Sequence, residues 1–132
     1  MSVTTPPQDP WTVRCNDALR VALALGGKAA RDEWSASRQG WITNGEPRVE
    51  LESLAFSGED LRGFDFSRCR FNHCEFKSCD LRDVDFSQSI FRDCDLSGSN
   101  IKGASFYLAD LAHDKNVLVG LRFDQTTNME LN

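Results

Sequence analysis

The chain has 132 residues, of which 40% are hydrophobic and 27% charged, and its formal net charge is −5. That is the size of one domain with one modest core. No apolar run approaches the roughly 18 residues that a membrane span needs, and the acidic balance leaves no basic footprint for nucleic-acid phosphates.

Residues 1–10 hold Pro6, Pro7 and Pro10 and no apolar pattern, so they read as a disordered leader. No basic stretch precedes an apolar run there, which speaks against a secretory signal. The five cysteines, Cys15, Cys69, Cys74, Cys79 and Cys94, are odd in number. Together with the missing export signal they point to reduced thiols and a cytoplasmic location.

Residues 11–50 read as a helical N-terminal cap and linker. A first helix is expected to open near Asn16 or Asp17, to carry Leu19, Val21, Ala22, Leu23 and Leu25, and to stop at Gly26-Gly27. A second is expected from about Lys28 to Arg38, with Trp34 on its apolar side and Gly40 at its end. Trp41-Ile42-Thr43 followed by Asn44-Gly45 suggests a turn into the next segment.

Residues 51–113 carry a period that dominates the sequence. An apolar residue recurs every five positions: Phe56, Leu61, Phe66, Phe71, Phe76, Leu81, Phe86, Phe91, Leu96, Ile101, Phe106 and Leu111. A second series lies two residues earlier and is small from Cys69 onward: Cys69, Cys74, Cys79, Val84, Ser89, Cys94, Ser99, Ala104, Ala109. Glu59 and Phe64 depart from it in the first stretch. A period of five fits neither the 3.6 of a helix nor the 2 of a flat strand. Two inward side chains and one bend per unit make one side of a square, so four units close a coil of 20 residues. Residues 20 apart should then resemble each other. They do: Phe66, Phe86 and Phe106 form one column, and Leu61, Leu81 and Ile101 another. Uniform columns are what a packed core requires.

The pattern resembles the pentapeptide-repeat family, whose repeat reads A(D/N)LXX. Its nearest matches are Glu59-Asp60-Leu61-Arg62-Gly63, Cys79-Asp80-Leu81-Arg82-Asp83, Cys94-Asp95-Leu96-Ser97-Gly98 and Ala109-Asp110-Leu111. The resemblance implies an all-β solenoid, a right-handed quadrilateral β-helix of about three coils. It also implies an N-terminal α-helical cap, with Trp34 as a cap residue, and a bacterial setting.

Repeats are expected to stop after Leu111, because Asn116 takes the next central position. Residues 114–132 then form a C-terminal cap or tail, and Val117 to Phe123 reads as a strand or a partly buried segment. This tail either caps the rod or makes a homodimer through residues 117–132.

Chemistry is sparse. Cys69, His73, Cys74 and Cys79 invite a metal reading, but in the repeat the cysteines point inward on different sides while His73 points outward, so four ligands should not converge. Free cysteine packs as a small hydrophobe, and the cysteines are assigned to the core. His73 and His113 lie on one side, two coils apart, with no nucleophile-like motif nearby. Acids recur at one position: Asp60, Asp65, Glu75, Asp80, Asp85, Asp95 and Asp110. Turn chemistry and solubility explain them better than acid–base work. Gly58, Gly63, Gly98 and Gly103 recur at another position and suit tight corners. No phosphate loop occurs, and neither metal nor cofactor is expected.

The expected function is a non-catalytic protein-binding or scaffold module with no membrane or direct nucleic-acid partner. Ile90, Tyr107 and Leu108 replace polar residues at outward positions and are the candidate partner contacts. The alternative is a DNA mimic that inhibits gyrase or protects it, as some members of the family do. The repeat region speaks against it, with eleven acids interleaved by seven bases for a net of −4.

Overall fold

The computed structural model describes residues 9–132. Two helices, α1 (Pro10–Leu25) and α2 (Gly27–Thr43), precede three short strands, β1 (Glu50–Glu52), β2 (Arg70–Asn72) and β3 (Ile90–Arg92). The strands pair in parallel in the order β1-β2-β3, with Leu51 opposite Phe71 and Phe71 opposite Phe91.

The rest of the chain is held by single bridges at the same 20-residue offset. Ala55, Glu75 and Asp95 form one column; Asp60, Asp80 and Asn100 a second; Asp65, Asp85 and Ser105 a third. With the strand column of Glu50, Arg70, Ile90 and Asp110, each coil has four ladder positions five residues apart. Parallel stacking at the usual strand spacing of about 4.8 Å places residue n over residue n+20.

The corners follow from local chemistry. Glu59 N–H donates to Phe56 C=O, Phe64 to Leu61 and Ala104 to Ile101, so these segments close as β-turns. The third turn residue is left-handed, and glycine fills it at Gly58 (φ +75°) and Gly103 (φ +75°). Arg68, Ser78, Asp83, Gln88 and Leu108 take the same left-handed angle without being glycine. The acids sit two residues ahead of the N–H they satisfy: Asp60 accepts from Arg62 N–H, Asp65 from Ser67, Asp85 from Ser87 and Asp95 from Ser97. These Asx turns explain why Asp and Asn recur at that position.

Every residue of the fivefold apolar series is buried, as are Cys69, Cys74, Cys79 and Cys94. Phe86 lies between Phe66 (5.8 Å, 18°) and Phe106 (4.9 Å, 21°) in one aromatic stack. Phe71 and Phe91 stack at 4.9 Å and Phe56 and Phe76 at 4.8 Å. The small second series also satisfies inward carbonyls: the Cys79 and Cys94 thiols donate to Phe56 and Phe71 C=O, and the Ser99 hydroxyl donates to Phe76 C=O. Phe64 is buried too and stacks on Phe66 at 5.4 Å, whereas Glu59 is exposed.

Both helices differ from expectation at their ends. α1 opens at Pro10, not near Asn16, because the Asp9 carboxylate accepts the Thr12 N–H (3.1 Å) and Pro10 sits at the start of the helix, where proline is tolerated. The prolines read as leader signals therefore include a helix starter, while residues 1–8 lie outside the described residues. α2 runs through Gly40 to Thr43 because Trp41 packs edge-on against Trp11 (5.2 Å) and Trp34 (5.6 Å). Asn44 and Gly45 (φ +69°) then end it.

The ladder also continues past Leu111. Asp95 bridges Val117, Asn100 bridges Arg122 and Ser105 bridges Asn128, at offsets of 22, 22 and 23 residues. Residues 114–132 thus form a fourth, irregular coil behind a two-residue insertion. Asn116 spans the insertion: its side-chain amide donates to Phe91 C=O and Leu111 C=O, and its Oδ1 accepts the Cys94 N–H.

Candidate functional site

The two ends of the solenoid are finished differently. At the N-terminal end, the first coil has no coil before it to receive its outward backbone groups, and an open edge of this kind invites pairing with other chains. Side chains from the helices cover it at Glu52, Arg62, Asp65 and Ser67. Asn16 pairs with Glu52 as a strand would, donating Nδ2–H to Glu52 C=O (2.9 Å) and accepting Glu52 N–H at Oδ1 (3.1 Å). The Trp34 indole N–H donates to Asp65 C=O (2.7 Å). The buried Arg38 guanidinium donates to Asp65 C=O (2.8 Å) and Ser67 C=O (2.7 Å). Trp34 rests on Phe66 at 5.8 Å, which closes the aromatic core from above.

At the C-terminal end the core runs out into an apolar face. Leu118 and Leu121 are only partly covered, Phe123 is 66% exposed and Val119 74% exposed. Ile101, Leu118, Leu121, Phe123 and Met129 line an open pocket of about 270 Å³. Among the described residues, seven of the eleven large exposed apolar side chains fall within residues 107–131. Single exposed apolar residues are ordinary, and a concentration at one end makes that end the candidate site.

Tyr107 and Leu108 are exposed and belong to this end, since Leu108 N–H donates to Glu130 C=O (2.6 Å) beside Met129 and Leu131. Ile90 does not join them. It is half-buried in the strand column between Arg70 and Asp110. Phe123, Met129 and Leu131 fall within the 117–132 segment expected to cap or dimerise, but sequence reasoning did not single them out, because the insertion after Leu111 puts Leu118, Phe123 and Met129 out of the fivefold phase. The signal available was their own spacing of five and six.

Part of the acidic series is paired with cations. Arg62 holds Asp60 bidentately (3.0 and 3.0 Å), and Arg82 holds Asp80 (2.9 and 2.7 Å). These guanidiniums hold the Asp60 and Asp80 carboxyls below their ordinary range. Lys77 lies 3.7 Å from Asp95. Asp93 sits between the two histidines, 3.4 Å from His73 Nδ1 and 3.6 Å from His113 Nδ1. The 20-residue column 73–93–113 predicts that juxtaposition. No group of three or more His, Cys, Asp or Glu among the described residues is placed to hold a metal ion.

Four of the five thiols are held in their neutral form by burial. Burial pushes Cys69 up to about 12, and Cys15 and Cys79 up to about 11. Cys74 and Cys94 interact across adjacent coils. Burial raises Cys74 well above the ordinary thiol value, and the hydrogen bond it shares with Cys94 lowers the latter.

Residues 47–114, just over half of the chain, match the family model described as a pentapeptide repeat region. Among solved structures, the pentapeptide repeat protein Rfr23 from the cyanobacterium Cyanothece 51142 superposes with a TM-score of 0.58 at 17% identity. The match covers 63% of this chain and 55% of that one, so the likeness is one of fold. No curated protein matches the sequence. No helix among the described residues is long and apolar enough to cross a membrane.

Proposed function

Because the chain belongs to the pentapeptide-repeat family, we propose that it is a non-catalytic protein-binding scaffold: a right-handed, four-sided β-helix presenting its C-terminal end to a protein partner. The asymmetry of the ends carries this reading. Asn16, Trp34 and Arg38 cap the N-terminal edge at Glu52, Asp65 and Ser67, while Phe123 and Met129 stand exposed around an apolar pocket at the other. A second copy of the chain meeting this end through residues 117–132 is the simplest occupant. A cytoplasmic location, where thiols stay reduced, belongs to the same proposal.

A DNA-mimicking topoisomerase inhibitor is the weaker reading. A mimic needs a run of free carboxylates, and here Asp60 and Asp80 are clasped by Arg62 and Arg82. A gyrase supercoiling assay is expected to show neither inhibition nor protection.

The test is Phe123→Glu, a change at an exposed side chain that should leave the unfolding transition in place. Sedimentation over a range of concentrations and capture from a native lysate are compared with the parent. Loss of self-association or of a specific captured protein supports the reading. A parent that stays monomeric and captures the same proteins as Phe123→Glu rejects it.

A further inference from the structure

A second concave site lies at the opposite end of the molecule, where the end of α2, the 44–49 loop and a corner of the first coil meet. It encloses about 250 Å³. Its walls include Trp41, Ile42 and Pro47, and its charged lining includes Arg38, Arg48 and Arg68. Trp41 is braced edge-on by Trp11 and Trp34, so its ring is a fixed wall. Ile42 is 65% exposed.

The charge here is opposite to that of the whole chain. The one acid on the rim, Glu46, is already paired with Arg14 at 2.9 Å. Arg38 is fixed at the base by the Asp65 and Ser67 carbonyls and brings a buried cation. Arg48 spends one nitrogen on Gln88 C=O (2.9 Å), which leaves its others free to bind. Arg68 is exposed, at the corner one coil before Gln88. Two guanidiniums with donors to spare thus face a small pocket that has apolar walls.

We infer that this groove binds a protein segment in which a carboxylate stands beside a bulky apolar side chain. The guanidiniums take the carboxylate, and the apolar group lies between Trp41 and Ile42. Charge complementarity selects this occupant, since the pocket is a cationic island on a chain of net charge −5. Its volume suits one or two side chains and is below that of typical small-molecule sites. The site is separate from the C-terminal end and does not depend on the role proposed for it.

The test uses the full chain and three probes: a capped peptide containing Leu-Glu, the same peptide with Leu-Gln, and inorganic phosphate. Binding is followed by tryptophan fluorescence and by backbone amide shifts. The expected result is saturable binding of the Leu-Glu peptide with shifts at Trp41, Ile42 and Arg68, at least ten-fold weaker for the Leu-Gln peptide. Arg68→Gln and Ile42→Ser should each weaken it several-fold while leaving the unfolding transition unchanged, and added salt should weaken it as well. Equal affinity for both peptides, shifts elsewhere on the molecule, or binding of phosphate without the peptide would overturn the inference.

Discussion

The aromatic stack makes a quantitative demand that can be met or refused. Phe86 meets the rings of Phe66, Phe71, Phe76, Phe91 and Phe106, at centroid distances from 4.9 to 6.1 Å. Phe56 is equally buried, but among the described residues it meets only the ring of Phe76. Phe→Leu at either site keeps most of the apolar volume, and the transfer cost is the same for both. At roughly 0.5 kcal/mol per ring pair, the difference between the sites comes to about 2 kcal/mol. Leucine already occupies the Phe56 column at Leu96, so that site accepts the shape. Phe86→Leu is therefore expected to destabilise by about 2 kcal/mol more than Phe56→Leu. Urea unfolding of both variants, followed by circular dichroism with a common slope, measures this directly. Equal losses at the two positions would show that the rings do not cooperate across coils and would refute the stacked-column account.

Asn16→Leu removes both hydrogen bonds to Glu52 and leaves part-buried backbone groups unpaired beneath an apolar side chain, so a loss of about 2 kcal/mol is expected in the same urea assay. Gly58→Ala has open space around its new methyl but forces a left-handed φ of +75°, so it should cost about 1 kcal/mol from backbone strain alone. In the native protein Cys69 and Cys79 should resist a thiol reagent at mildly alkaline pH and react once the chain is unfolded, because burial lifts them to about 12 and about 11. The Asp80 carboxyl is depressed in the fold by Arg82, so its contribution to stability is present above the unfolded value. That contribution is lost as pH falls through the folded value. Carbon NMR titration of Arg82→Gln should return Asp80 toward the ordinary carboxylate range, and an unmoved midpoint would reject Arg82 as the cause.

Much of this molecule is legible at a distance of five residues. The apolar series, the small series, the acids of the Asx turns and the corner glycines each report a local requirement that recurs from coil to coil. The breaks were harder to read. Asn116 looked like the end of the repeats, yet its amide stands in for backbone across an insertion, and the coil resumes at Val117. Pro10 looked like leader and starts a helix, because the capping carboxylate of Asp9 outweighs composition. The candidate contacts divided likewise: Tyr107 and Leu108 reach the exposed end, while the strand ladder half-buries Ile90.

The sequence by itself determined the repeat and its core, since a period acts through nearest neighbours and each five-residue unit carries its own instruction. Tertiary structure alone decided how the two ends are treated. Asn16 and Arg38 become edge partners of Glu52, Asp65 and Ser67, and Arg48 and Arg68 come to share a groove with Trp41, only when helix and first coil meet in space. The edge pairings join residues 27 to 36 positions apart with no period linking them, so no local pattern announces them.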